Sequence, residues 1–174
     1  MQVFDAGTRE YITTPKSYGK SITSSQLPEA FAKFLPVLSP MLDPSKSVET
    51  AQALESTPIG YPDELITQVI DGIYADVVAI KSAMEQLYLR MVGGSLLVVY
   101  EGDTDVLRLA LSDEENGGSK SPAYRVKLID FAHTKFKSEQ DGVDKGVILG
   151  IENTLKYLAG RKEEIMEGAV TPSI

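Results

Sequence analysis

Eight apolar residues, Ile66, Ile70, Ile73, Val77, Ile80, Met84, Leu87 and Met91, follow one another at alternating steps of four and three. That alternation keeps every one of them on one side of an α-helix, because about 3.6 residues make a turn. The stripe predicts a helix of about seven turns that opens at Pro62 and stops at Gly93-Gly94. A narrow stripe would suit a coiled-coil seam between two chains. Leu65, Val69, Tyr74, Val78 and Tyr88 widen it, which favours a core helix packed against a sheet. The rest of the chain must then supply that sheet.

Strand patterns lie on both sides of the helix. Met1 to about Lys16 reads as a hairpin, with Val3 and Phe4 in one arm, Tyr11 to Thr14 in the other, and Ala6-Gly7-Thr8-Arg9 as the turn. Tyr18-Gly19-Lys20 breaks that pattern. Ser24-Ser25 then caps a short helix with Pro28 in its first turn and Ala30, Phe31, Phe34 and Leu35 on one face, ending before Pro36. Pro36, Pro40, Pro44, Pro58 and Pro62 make residues 36–62 a surface insert with at most one short helix, around Val48–Leu54. Ser95–Tyr100 is a buried strand, Val106–Leu111 a candidate hairpin partner for it, and Tyr124–Phe131 a further strand. The polar run Asp113–Ser119 predicts a flexible loop over about 112–122. A last helix runs from about Asp144 to Met166, with Ile148, Ile151, Leu155 and Leu158 on its apolar face and a frayed tail over 168–174. The 174 residues amount to a single domain.

Composition removes several chemistries. Lys plus Arg is 17 against 25 Asp plus Glu, a net charge of −8, so the chain is a poor general binder of nucleic acid. Without cysteine there is no disulfide, thiolate zinc site or cysteine nucleophile. The single histidine, His133, cannot build a histidine metal cage, and a Ser-His-Asp hydrolase would have to use it. The longest dense apolar run, Leu96 to Tyr100, is far short of a membrane span, and no targeting segment is visible. The expectation is a soluble intracellular protein.

The chemically loaded stretch is Val126 to Thr134, where an apolar strand runs into Asp130 and, three residues on, into His133. A carboxylate at the end of an apolar strand needs a cation or hydrogen-bond donors. Mg²⁺ suits it, being hard, oxygen-seeking and often held by one or two protein carboxylates plus substrate phosphates. Kinases place an Asp followed by Phe in this way to hold Mg²⁺ on nucleotide phosphates. The structural alternative is an Asp that only caps the turn out of the strand.

Three segments add context: Arg90-Met91-Val92-Gly93-Gly94-Ser95-Leu96-Leu97-Val98-Val99-Tyr100-Glu101-Gly102, Lys127-Leu128-Ile129-Asp130-Phe131-Ala132-His133-Thr134, and Asp144-Lys145-Gly146-Val147-Ile148-Leu149-Gly150-Ile151-Glu152-Asn153. Together they resemble the inositol polyphosphate kinase family, with its Ser-Ser-Leu-Leu strand, its Ile-Asp-Phe-Ala-His strand end and its final helix opening on Asp-x-Gly-x-x-x-Gly-Leu-x-Asn. Met1-Gln2-Val3 is similar to the family's Gly-Met-x-Val strand, and Lys16-Ser17-Tyr18-Gly19-Lys20-Ser21 to its Lys-x-Tyr-Gly-Arg-Ser turn. The Pro15 to Ser21 wording is most like the fungal multikinase branch. The family's Pro-x-x-x-Asp-x-Lys-x-Gly signature, its small lobe and its phosphate-gripping Lys have no counterpart here, so the resemblance is to the C-terminal portion of a catalytic domain.

The resemblance implies an α+β, kinase-like large lobe: an antiparallel sheet packed with helices. It implies ATP as co-substrate, Mg²⁺ as cofactor and an inositol trisphosphate or tetrakisphosphate as substrate. Asp130 corresponds to the Mg²⁺ ligand, with the Ser95 hydroxyl beside it. Ile129, Leu96 and Leu97 correspond to apolar residues around the adenine, and His133, Lys20 and Gln2 to contacts with the inositol phosphate. Lys20 stands where Arg is usual and offers a point charge in place of a bidentate fork. Gly94 stands where the first Ser of Ser-Ser-Leu-Leu is usual. Lys127, Lys135, Lys137 and Lys145 are local cations that offset the acidic balance, while Asp141 and Asp144 favour the dipole of the last helix. Within the family, a hexakisphosphate kinase or a trisphosphate 3-kinase is the alternative; outside it, the alternative is a non-catalytic half-domain that binds a partner chain. The family implies a nuclear or cytoplasmic location.

Overall fold

The computed structural model describes residues 1–5, 8–38, 60–115 and 122–170. Strands β1 (Gln2–Asp5) and β2 (Glu10–Thr13) form the expected antiparallel hairpin, with Val3 opposite Ile12 and Phe4 opposite Tyr11. The Asp5 carboxylate fastens the reversal by accepting the Thr8 hydroxyl at 2.9 Å. Helix α1 (Lys16–Ser21) occupies the stretch where the strand pattern breaks. Helix α2 (Leu27–Phe34) follows one 3₁₀ turn, and the capping residue is Thr23, paired reciprocally with Gln26, not Ser24 or Ser25.

Helix α3 (Asp63–Met84) carries the long stripe and buries Leu65, Ile66, Val69, Ile70, Ile73, Val77 and Met84. It ends seven residues earlier than the spacing predicts. Leu89–Met91 forms strand β3 instead, with Leu89 and Met91 buried on either side of Arg90, and Leu87 is exposed. A step of four from Leu87 to Met91 fits a helix by number alone. The burial of Leu89 and Met91, two apart, has the period of a strand.

Strand β4 (Ser95–Tyr100) is where the apolar run placed it. Its partner is β5 (Tyr124–Ile129), antiparallel, with Ser95 opposite Ile129 and Tyr100 opposite Tyr124. The proposed partner Val106–Leu111 lies inside helix α4 (Thr104–Glu115). Asp103 caps that helix by accepting the amides of Asp105 and Val106 at 3.0 and 3.1 Å. Leu107, Ala110 and Leu111 are buried at helical spacing. The helix also takes Ser112–Glu115 from the predicted loop, whose residues 116–121 lie outside the described residues. So do residues 39–59 of the insert, including Val48–Leu54, and 171–174 of the expected tail, whose residues 168–170 continue the last helix.

Strand β6 (Thr134–Phe136) pairs antiparallel with β3, and α5 (Lys145–Val170) closes the chain. The sheet β4–β5 turns Leu96, Val98, Tyr100, Tyr124, Val126 and Leu128 onto the core. Helix α5 packs on α3 through Ile151, Leu158 and Ile165, with Lys162 bridging to Asp71 at 2.6 Å and Lys81 to Glu152 at 2.9 Å. The architecture is the expected α+β arrangement of antiparallel ribbons packed with helices. None of the described helices is long and apolar enough to cross a membrane.

The contact between α3 and β5 is close at Gly72, where an added Cβ would meet the Tyr124 ring. Helix propensity alone favours Gly72→Ala by about 1 kcal/mol. Overpacking against a ring held in the β5 ladder costs about 1–3 kcal/mol and should win. Urea unfolding should show Gly72→Ala with a lower midpoint than the parent; a higher midpoint would contradict the close contact.

Candidate functional site

Side chains alternate across a strand, so packing one face of β4–β5 on α3 fixes what the other face presents. The outward residues are Ser95, Leu97 and Val99 of β4, opposite Ile129, Lys127 and Arg125 of β5. Leu97 and Val99 are about half exposed, at 45% and 54%. This register separates two residues that the sequence leaves together. Leu97 shares the outward face with Ile129, whereas Leu96 is packed against the core.

At the end of β5 the chain turns sharply. Asp130 has φ 68° and ψ 53°, the left-handed region that Asp tolerates better than most residues. A 3₁₀ turn over Phe131–His133 follows and leads into β6. Asp130 is exposed and makes no side-chain capping hydrogen bond to that turn, so the reading of a carboxylate that merely caps the strand end does not hold. His133 is exposed on the same turn, and its carbonyl accepts the Val92 amide at 3.3 Å. The ladder thus gathers Ser95, Ile129, Asp130 and His133 at one end of the sheet, with Leu97 on the face leading to it.

Two hollows border the sheet, the first toward its far, Tyr100 end and the second at the Ser95 end. One, of about 790 Å³, lies between the hairpin and β4 and is lined by Gln2, Phe4, Tyr11, Leu97 and Val99 among others. Gln2 is tied there to Thr13 by a hydrogen bond of 3.2 Å. Its floor is stiffened by Tyr61 and Tyr100, whose hydroxyls donate to the carbonyls of Gly102 at 3.1 Å and Phe34 at 2.6 Å. Burial pushes the Tyr61 hydroxyl up to about 12 and that of Tyr100 higher still. The second hollow, of about 560 Å³, lies between the β3–β4 turn and α5, lined by Gly94, Ser95, Leu96, Asp144, Gly146 and Gly150 among others. A Cβ at Gly94 would meet the Met91 thioether, so Met91 fills the space that a serine there would need. Lys20 is exposed in α1 and lines neither hollow.

Two residues carry more of this geometry than their sequence context suggests. Asp144 accepts the amides of Met91 at 2.9 Å, Gly146 at 3.0 Å and Val147 at 3.3 Å. Burial alone would raise its carboxyl, but those donors and the Arg90 charge outweigh it and hold the group below the usual carboxylate range. Arg90 donates to the carbonyl of Asp141 at 2.9 Å and of Gly142 at 3.4 Å. The Asp141 carboxyl is held low chiefly by the Ser138 hydroxyl, at 2.7 Å. The Asp-x-Gly at the head of the last helix was the only signal of Asp144's place, and Arg90 had none beyond its neighbours.

The family model of inositol polyphosphate kinase matches residues 1–159 of the chain. Mouse inositol hexakisphosphate kinase 1 is 24% identical over 178 residues, covering 94% of this chain and 39% of that protein. Mouse inositol hexakisphosphate kinase 3 is 27% identical, covering 97% and 37%. The chain therefore spans less than half the length of these curated relatives. Among solved structures, the inositol phosphate multikinase Ipk2 of S. cerevisiae, in complex with ADP and Mn²⁺, superposes with a TM-score of 0.61 at 23% identity, over 91% of this chain and 54% of that one. A second inositol phosphate multikinase structure gives 0.57 at 16% identity, over 91% and 58%. These likenesses establish the fold.

The low carboxyls of Asp144 and Asp141 give the structure an acid limb. A group whose folded pKa lies below its unfolded value of about 3.9 stabilises fully above that value and loses the contribution as pH falls through the folded value. Asp144→Asn should therefore melt below the parent at pH about 7, and the gap should narrow at pH about 3, below the unfolded value, where the contribution is being lost. Thermal melts at the two pH values check this; an equal gap at both would remove the carboxylate charge from the explanation.

Proposed function

The chain belongs to the inositol polyphosphate kinase family, and from that premise we propose that it supplies the metal-bearing half of a site that transfers a phosphoryl group from ATP to a hydroxyl of an inositol polyphosphate. The single observation that carries this reading is the end of the β4–β5 ladder. There Ser95 stands opposite Ile129, and the next residue, Asp130, is held exposed in a left-handed conformation. Non-glycine residues in that conformation cluster where function outweighs backbone cost.

The donor set fits a hard cation that relies on its substrate. Among the described residues no group of three or more His, Asp or Glu could hold a metal ion. Mg²⁺ accepts such a site, taking one or two protein oxygens and completing its shell with water and phosphates. Asp130 would hold it, with the Ser95 hydroxyl beside, and the bound ion supplies neutralisation of the charge on the transferring group. Ile129 and Leu97 offer an apolar surface to the adenine. His133, from the turn after Asp130, donates to a substrate phosphate, and Gln2 of the hairpin and Lys20 of α1 are the further proposed contacts with the inositol phosphate. Phosphoryl transfer is mostly positioning and charge stabilisation, so no covalent intermediate on the chain is needed. Residues 1–174 lack the phosphate-gripping Lys and the Pro-x-x-x-Asp-x-Lys-x-Gly segment, and on this reading they do not turn over alone.

Inositol trisphosphate and tetrakisphosphate are the proposed substrates. The similarity to the two hexakisphosphate kinases keeps the hexakisphosphate as a second reading. Turnover of each substrate by the full-length protein, with ATP and Mg²⁺, separates them.

Asp130→Asn in the full-length protein should abolish turnover and leave the fold intact, since Asn is nearly isosteric and also tolerates the left-handed conformation. Steady-state kinase activity beside a thermal melt checks it, and wild-type turnover in the variant would sink the assignment.

His133→Ala should raise KM for the inositol phosphate more than KM for ATP. The loss should be about 1–3 kcal/mol, the range for a hydrogen bond to a charged group. An equal change in both constants would place the histidine outside the substrate contact.

A further inference from the structure

Strand β3 and the start of α5 are locked together in both directions. The β3–β6 ribbon carries backbone hydrogen bonds at Tyr88–Lys137 and Val92–His133. Inter-strand bonds recur at every second pair of an antiparallel ladder, so Arg90–Lys135 belongs with them and Met91–Thr134 does not. The Met91 amide therefore points away from β6, along the outer edge of β3. There it meets the carboxylate of Asp144 at 2.9 Å. The other carboxylate oxygen of Asp144 accepts the amides of Gly146 and Val147, the second and third residues of α5. In the opposite direction, the Arg90 guanidinium reaches from β3 to the carbonyls of Asp141 and Gly142, just before Asp144.

Capping a helix needs one side-chain oxygen, and many Asp residues do no more. Asp144 spends its second oxygen on a strand that is otherwise an open edge there among the described residues. Met91 is also the last residue before the turn that begins β4 at Ser95, and Val92 holds the His133 carbonyl. One carboxylate thus fixes the common root of the two segments that present Ser95 and His133.

We propose that Asp144, assisted by Arg90, is a positioning residue for the phosphoryl-transfer site: it sets where Ser95 and His133 stand relative to α5 without touching substrate. The proposal rests on the kinase reading above. It separates two roles of one side chain, a helix cap and a strand anchor, and a substitution can divide them. Serine caps helices about as well as aspartate, but its single oxygen, one bond from Cβ, cannot also reach the Met91 amide.

The experiment compares Asp144→Ser with the parent in the full-length protein. The variant should melt within a few degrees of the parent, because the cap is kept. Its kcat should fall on the order of 100-fold, the loss that a misplacement of about 1 Å can cause. KM for ATP should stay within about threefold, since the interaction lost matters in the transition state rather than in nucleotide binding. Amide hydrogen exchange at Met91 should be slow in the parent and fast in the variant. A variant that melts like the parent and keeps parental kcat overturns the proposal and leaves Asp144 a cap. If Asp144→Ser is too unstable to assay, Arg90→Gln carries the test, because it loosens the same seam from the other side; it should lower kcat with KM for ATP preserved, and parental kcat in it overturns the proposal equally. A parent protein that phosphorylates no inositol phosphate fails earlier and differently, since it overturns the kinase reading and this inference with it.

Discussion

The burial of one face of α3 is the constraint on which the rest depends. Ile66, Val69, Ile73 and Val77 have no solvent exposure, and fully burying such a side chain is worth about 1.5–3 kcal/mol. A stripe of that length needs cover from two sides. Helix α5 supplies one and the inner face of β4–β5 the other, while the ion pairs Lys162–Asp71 and Lys81–Glu152 trim the seam. Exposed pairs of this kind contribute little, about 0–1 kcal/mol, so they align the helices more than they hold them.

The site is a consequence of that cover. Once Leu96, Val98, Val126 and Leu128 face α3, strand alternation obliges Leu97 and Ile129 to face away, and the antiparallel register brings Ser95 opposite Ile129. Asp130 then emerges at the end of β5 with no core to enter, and the left-handed turn throws His133 back toward β3. The short ribbon β3–β6 joins the core through Leu89 and Met91 of β3. Polar links through Asp144 and Arg90 then tie it to the start of α5. A chain with a net charge of −8 can still gather cations near a polyanion, because Lys127 lies on the outward face of β5 and Lys135 and Lys137 follow His133.

Much of this was legible in the residues. The hairpin register, the start of α3, strand β4 and the face of α5 follow from spacings that physical chemistry reads locally. The motifs around Ser95, Asp130 and Asp144 are contiguous, so their resemblance to a kinase family survives without coordinates. The errors share a cause. Met84 to Met91 continues a helical period by count, and Val106–Leu111 is apolar enough for a strand. In each case the outcome rested on a partner distant in sequence: β6 for Leu89–Met91, and the buried pocket that takes Leu107 and Leu111 for α4.

The sequence by itself determined which segments are amphipathic, with what period, and which single carboxylate ends an apolar strand, because those properties belong to neighbours along the chain. Only the tertiary structure decided that Leu97 and not Leu96 faces outward, that β4 takes β5 as its partner, that Met91 fills the place beside Gly94, and that Asp144 anchors a strand as well as a helix. Each of these depends on register or on a hydrogen bond across tens of residues. Local spacing cannot specify such a relation, since a shift of one residue in pairing exchanges the two faces of a strand while leaving its sequence pattern the same.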